Sequence, residues 1–235
     1  MGDDDMNFDT YKIKDELVIN YAKARHCDLA ELSALVRMSG AGGYFEEKNG
    51  TCILHFQTEN FAVARKCFTL IEKTFNINTE TFVSRNLSRE TISYTVAIKK
   101  HEDSIKVLQA TKLIDASGDI AEEFSMIKNL IILHSCCKRA FLRGAFLAAG
   151  SISNPEKSYH IEIVCAGGRK AEQIKNIINT ETEAGAYHIS FTCLMHPASF
   201  LRIKLSGEIL WKNNSIKKNY PIWKLLNSVI RCICY

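Results

Sequence analysis

The stretch KRAFLRGAFLAAGSISNPEKSYHIEI, Lys138 to Ile163, decides how the chain is organised. Within it, Leu142 to Gly150 reads LRGAFLAAG, and shifting the sequence against itself by 110 residues lays LSALVRMSG, Leu32 to Gly40, upon it. Each nonamer consists largely of small and apolar side chains and ends on a glycine suited to cap a helix. Small residues decide how closely two helices approach. Gly144 and Ala148 are four apart, hence on one helical face, and Ala34 is expected to lie opposite them in a shared helix interface.

Outward from these helices the same order of patterns appears twice. Thr51 to Gln57 alternates, with Cys52, Leu54 and Phe56 on one face and His55 and Gln57 on the other, which reads as a half-buried strand. Ser158 to Ile163 does the same, and Asn49-Gly50 is a hairpin turn signal that makes Tyr44 to Lys48 the partner strand. From Thr58, expected as an N-cap, the apolar residues Phe61, Ala64, Phe68, Ile71 and Phe75 keep helical spacing, as do Ala171, Ile174 and Ile178 in the second copy. The first copy continues with strands near Ile77 to Val83 and Thr91 to Lys99 and a helix near Glu102 to Leu113. No such continuation is read after Ala184, so the second repeat is expected to be incomplete.

The 235 residues, 46% of them hydrophobic, suffice for a sizeable core and exclude wholesale disorder. With 30 basic against 26 acidic residues, the chain is no polycation holding its partners by bulk charge. The excess sits late. Residues 180–235 contain Arg202, Lys204, Lys212, Lys217, Lys218, Lys224 and Arg231 against Glu181, Glu183 and Glu208, together with both tryptophans. No apolar run approaches the roughly 20 residues of a membrane span, and no signal peptide is read, so a cytoplasmic protein with no membrane partner is expected. Nine cysteines are then expected to be reduced core residues. Cys136-Cys137 are adjacent, one residue separates Cys232 from Cys234, and the histidines are scattered, so the spacing argues against a metal site.

A helix of small residues ending in glycine, followed by hairpins and helices and occurring twice, resembles the LAGLIDADG homing endonuclease fold. More specifically, AELSALVRMSG (Ala30 to Gly40), FQTENFAVAR (Phe56 to Arg65), the Lys138 to Ile163 stretch and the opening Phe8 to Leu17 resemble the WhiA family. These are bacterial sporulation and cell-division regulators with a degenerate LAGLIDADG domain followed by a helix-turn-helix domain. The resemblance runs from about Phe8 to Asn179. It implies an α+β chain with an N-terminal helical segment (1–26), a first LAGLIDADG-like repeat (27–115), a linker helix (116–135), a partial second repeat (136–184) and a basic tail (185–235). That tail is unlike the family and carries no helix-turn-helix pattern; the expectation is a lineage-specific or truncated variant, its tail poorly ordered, or a tail read from another frame.

The resemblance also implies where chemistry would sit. A nuclease of this fold needs a carboxylate at the eighth position of each motif to hold metal against the scissile phosphates, and those positions here are Ser39 and Ala149. No catalysis, cofactor or small-molecule substrate is therefore expected. Glu31 reads as a first-turn acid suited to the helix dipole, and Glu162 as an outward strand residue. Cys27 beside His26 is the one tight thiol–imidazole pair, but chain neighbours rarely face each other on a helix. Gly40-Ala41-Gly42-Gly43 follows a helix and is no dinucleotide loop. Double-stranded DNA is the implied partner, with Lys48, His55, Gln57, Arg85, Ser158 and His160 on the sheet face turned to the duplex and Arg37, Lys138, Arg139 and Arg143 in or beside the motif helices. The implied role is in sporulation, cell division and chromosome segregation through transcription regulation, at the nucleoid. The alternative is a protein-interaction module that kept the scaffold to bind another regulatory protein.

Overall fold

A computed structural model describes residues 3–39, 45–48, 51–88, 90–114, 130–152, 160–166, 168–181, 189–193 and 200–206. The helices are α1 (Asp3–Val18), α2 (Arg25–Met38), α3 (Phe61–Phe75), α4 (His101–Ala110), α5 (Ser135–Ala149) and α6 (Gly168–Glu181). The strands are β1 (Phe45–Lys48), β2 (Thr51–Thr58), β3 (Glu80–Asn86), β4 (Thr91–Ile98), β5 (Gly150–Ile152), β6 (His160–Ala166), β7 (Ile189–Cys193) and β8 (Phe200–Ser206). They form two antiparallel sheets of the same plan, β1-β2-β4-β3 and β5-β6-β8-β7. The repeat seen in the sequence is thus a repeat of sheets, each introduced by one of the two small-residue helices.

Two expectations change. The second repeat does not stop near Ala184, because β7 and β8 complete its sheet to four strands. Their sequences, ISFTC and FLRIKLS, alternate apolar with polar residues, the strand period of two. The basic tail as first bounded therefore begins inside a folded repeat. The expected N-cap Thr58 ends β2 instead. Asn60 caps α3 by accepting the Val63 N–H at 3.0 Å, while Thr58 Oγ1 accepts the Asn60 N–H at 3.2 Å. Asn76 closes that helix in the left-handed region at φ 54°, which asparagine tolerates. The expected linker helix, 116–135, falls mostly outside the described residues; 130–132 form a 3-10 turn before α5. Lys48 pairs with Thr51, bracketing the Asn49-Gly50 turn signal, whose own conformation also lies outside them.

One core runs through both repeats. Leu32, Leu35, Ala34, Phe141, Ala145 and Phe146 from the central helices are continuous with Leu54, Phe56, Val96 and Ile98 of the first sheet and Ile161, Ile163 and Cys165 of the second. The N-terminal helix joins them. Thr10 on α1 donates through Oγ1 to the Ile152 carbonyl at 3.2 Å and accepts the Ile152 N–H at 3.0 Å, satisfying the backbone of β5 across 142 residues of sequence. Inside the first repeat, buried Ser104 accepts the Leu54 N–H and donates to the Ile98 carbonyl, fixing α4 to the sheet.

Candidate nucleic-acid interface and the paired helices

Helices α2 and α5 cross where Gly144 has no side chain. A Cβ added there would stand 2.9 Å from Ala34 Cβ and closer still to the Glu31 carbonyl oxygen, so the glycine is what lets the backbones approach. Ala148 is half-buried one turn further along. Glu31 lies in the middle of this interface, wholly buried. Its Oε1 stands 2.9 Å from Lys66 Nζ and its Oε2 2.6 Å from an Arg143 guanidinium nitrogen. Lys66 in turn donates to the carbonyls of Leu17 at 3.3 Å and Asn20 at 2.5 Å. Burial pushes the Lys66 ammonium below its ordinary range, and the Glu31 carboxylate beside it pulls back the other way. The reading of Glu31 as a first-turn acid is thereby corrected: it is the hub of a buried charge network spanning both repeats. Asp28 fills the first-turn role, paired at 2.7 Å with Lys73.

Several residues expected to face DNA do not. Arg143 is 5% exposed and committed to Glu31, and Arg37 is buried at the last turn of α2, where its carbonyl accepts from Lys170 Nζ at 3.2 Å. Lys138 and Arg139 belong to the first turns of α5, the end of the helix away from Gly150, where its sheet begins. Lys138 is held there by Glu181 at 3.4 Å and Thr180 at 3.3 Å. Long charged residues beside a helix motif are not thereby surface residues; the fold drew two of these arginines inward.

At the other end of the paired helices stand Ser39 and Ala149. Ser39 closes α2 and donates from Oγ to the Val36 carbonyl at 3.0 Å; Ala149 is the last residue of α5. Neither offers a carboxylate at the foot of the helices.

The sheets have an open face set by register. In the first, Leu54 and Phe56 turn to the core, and His55 and Gln57 to the other side with their partners Ala97 and Thr95. On that face Gln57 Nε2 donates to Ser93 Oγ at 3.0 Å, and Ser93 and Ser84 hydroxyls lie 2.7 Å apart. Lys99 pairs with Glu80 at 2.7 Å and lies 5.2 Å from the Phe82 ring. Lys48, opposite Thr51, has the parity of His55 and Gln57. Arg85 does not: it stands opposite Ile92, on the parity of Val96 and Ile98, and so belongs to the helix side at an exposed end of the hairpin. In the second sheet Ile161 and Ile163 are buried, and the opposite parity carries His160 across from Ser206, Glu162 across from Lys204, and Val164 across from Arg202. Ser158 lies outside the described residues. Arg202 and Lys204 are the basic positions the sequence reading left in the tail; the alternation of FLRIKLS was the signal that places them.

A second constellation lies at the N-terminal end of the helix pair. His26 and Cys27 open α2, Cys136 and Cys137 open α5, and one ligand atom from each comes within 4.8 Å of all the others. His26 Nδ1 lies 3.1 Å from Cys137 Sγ and 3.4 Å from Cys27 Sγ. Burial pushes the Cys27 thiol up to about 12, and Cys136 and Cys137 push it the same way. No single chain segment has the spacing of a metal site, but the fold joins two segments, one from each repeat. His26 and Cys27, set aside as chain neighbours, do approach each other.

Fold and site together define a LAGLIDADG-like protein of two repeats with serine and alanine at the motif positions where the nucleases of this fold carry acids. Family models of the WhiA N-terminal LAGLIDADG-like domain and the WhiA LAGLIDADG-like domain match residues 25–114 and 138–197. The chain belongs to the WhiA family. It is 40% identical over 171 residues to the "Probable cell division protein WhiA" of Lachnoclostridium phytofermentans, covering 72% of this chain and 53% of that one. Its counterpart in Alkaliphilus oremlandii is 35% identical over 169 residues, covering 71% and 52%. The chain therefore spans about half the length of these curated relatives. Among solved structures it is similar to the N-terminal LAGLIDADG domain of WhiA, with a TM-score of 0.60 at 18% identity over 94% of this chain and 89% of that one. It is also similar to a variant of the homing endonuclease I-DmoI in complex with its target DNA, with a TM-score of 0.52 at 11% identity over 87% and 97%.

Proposed function

We propose that this chain is a non-catalytic duplex-DNA-binding regulator acting at the nucleoid in cell division and sporulation, as its family resemblance implies. The observation that carries the reading is the pair of four-stranded sheets, each with polar or basic positions on the face turned from the core. His55, Gln57, Ser84 and Ser93 lie on the first by register and exposure, and Arg202, Lys204 and His160 lie on the second by register. Such groups donate to phosphate oxygens and base edges. A homing endonuclease of this fold has been solved in complex with its DNA target, which supports duplex DNA as the class of partner.

Cleavage is a separate matter. Two-metal hydrolysis needs anionic ligands to offset the charge of the ions, and Ser39 and Ala149 supply none. Incubating the chain with supercoiled plasmid and magnesium or manganese should leave the plasmid intact; nicking that co-purifies with the protein and stops with chelator contradicts the non-catalytic reading. The rival, a protein-interaction module, predicts no saturable binding to duplex DNA even at low salt. A fluorescence titration at two salt concentrations separates the two: binding that weakens steeply with salt supports the DNA reading, and its absence at low salt refutes it.

A further inference from the structure

We propose that His26, Cys27, Cys136 and Cys137 bind one zinc-class divalent ion, which clamps the two repeats together at the N-terminal end of the paired helices. The residues meet from opposite halves of the chain, and the relation between them is the repeat itself. The 110-residue shift that superposes the motif helices carries His26 onto Cys136 and Cys27 onto Cys137. The cluster thus sits at the second and third residues of both α2 and α5. Ser39 and Ala149, at the other end of the same helices, are roughly 20 Å away by helical rise.

The donor set is chemically selective. Three sulfurs and one imidazole nitrogen match the tetrahedral Cys3His sites that hold zinc and are poor ligands for magnesium or calcium. Ligands about 2.0–2.3 Å from a tetrahedral zinc stand roughly 3.5–3.8 Å from one another. The observed separations, 3.1 and 3.4 Å from His26 Nδ1 and at most 4.8 Å over the set, are within side-chain torsion of that geometry. The surroundings fit as well. Cys27 and Cys137 are buried while His26 and Cys136 are exposed, giving an ion a route in and a partly dry seat. The Cys137 N–H is fixed by the His134 carbonyl at 2.9 Å, and the His134 ring lies 5.9 Å from that of His26, tilted against it. Protonated thiols give up their protons as the ion binds, so affinity should fall as pH is lowered.

The test uses the full chain, reduced and stripped of metal with chelator, and Co2+ alone as the probe. One equivalent of Co2+ should produce the visible ligand-field bands of a tetrahedral site and a near-ultraviolet thiolate charge-transfer band, and Zn2+ should erase both. Cys136→Ser, at an exposed position that folding tolerates, should weaken Co2+ binding at least tenfold, and Cys27→Ser likewise; Cys67→Ala, in the core away from the cluster, should leave it unchanged. Chelator should lower the melting temperature of the wild-type chain and not that of Cys136→Ser. The proposal is overturned if no tetrahedral thiolate spectrum appears, or if the spectrum survives in both Cys136→Ser and Cys27→Ser.

Discussion

At the scale of residues, Glu31 is where the account is most exposed to test. It holds two cations inside the interface, Lys66 and Arg143, and all three side chains are shut from water. Removing one partner of a buried charge pair costs about 3–5 kcal/mol, because the remaining charge stays buried without compensation. Glu31→Gln should therefore lower the melting temperature sharply, whereas Glu31→Leu combined with Lys66→Met and Arg143→Met should recover most of the loss. Thermal melts of the two variants decide it; a neutral Glu31→Gln means the network does not form. Lys14 gives a pH signature. Burial pushes its ammonium down to about 8 from 10.5, so the unfolded chain binds the extra proton between those values and stability rises with pH across that window. Lys14→Met should be more stable than the wild-type chain at pH 7, on the order of 1 kcal/mol, with the difference shrinking as pH approaches 10.5. A gap that is flat with pH contradicts it. None of this was legible in the sequence: a glutamate just ahead of the LSALVRMSG motif looks like a dipole complement until a lysine from α3 and an arginine from the other repeat are seen to converge on it.

At the scale of elements, the helix pair and the strand registers carry the fold. Gly144→Ala places a methyl against the Glu31 backbone, which a side-chain rotation cannot relieve, and overpacking of this kind costs about 1–3 kcal/mol. Compared with Lys106→Ala on the exposed side of α4, it should melt distinctly lower; equal melts would mean that α2 and α5 do not touch there. This much was readable beforehand, since a glycine and alanine four apart in a repeated nonamer have few other uses. Register was readable only in part. Alternation gave the faces of β2, but Arg85 was assigned without knowing its partner, and the pairing with Ile92 turns it to the helix side. Gln57→Ala should weaken duplex binding roughly fivefold, the equivalent of about one hydrogen bond, and Arg85→Ala should change it less than twofold. A gel-shift series reversing that order would put the open face on the wrong side. Strands β7 and β8 went unread because no local turn signal of the Asn49-Gly50 kind sets them off; the alternation of FLRIKLS and the repeat, carried to its end, both point to them.

At the scale of the whole molecule, two sheets of identical strand order are held around one helix pair, stapled by a buried charge network in the middle and joined at one end by the His26, Cys27, Cys136 and Cys137 cluster. Among the described residues no helix is long and apolar enough to cross a membrane. Charge is distributed unevenly over this frame. Residues 1–179 balance their charges, and the basic excess follows Thr180, where β8 places Arg202 and Lys204 on the open parity of the second sheet. The second sheet is therefore the more strongly phosphate-binding half in the proposed DNA complex. Each lysine or arginine that neutralises a phosphate releases counterions, and its removal reduces the salt slope of the binding constant by about 1. The most direct measurement is the logarithmic salt dependence of duplex binding by the full chain and by the Arg202→Ala/Lys204→Ala double variant, with circular dichroism confirming that both are folded. A slope shallower by about 2 in the double variant, with binding weakened alike on unrelated sequences, is the predicted result; a wild-type chain that does not bind duplex DNA, or a slope unchanged by losing both residues, contradicts the account.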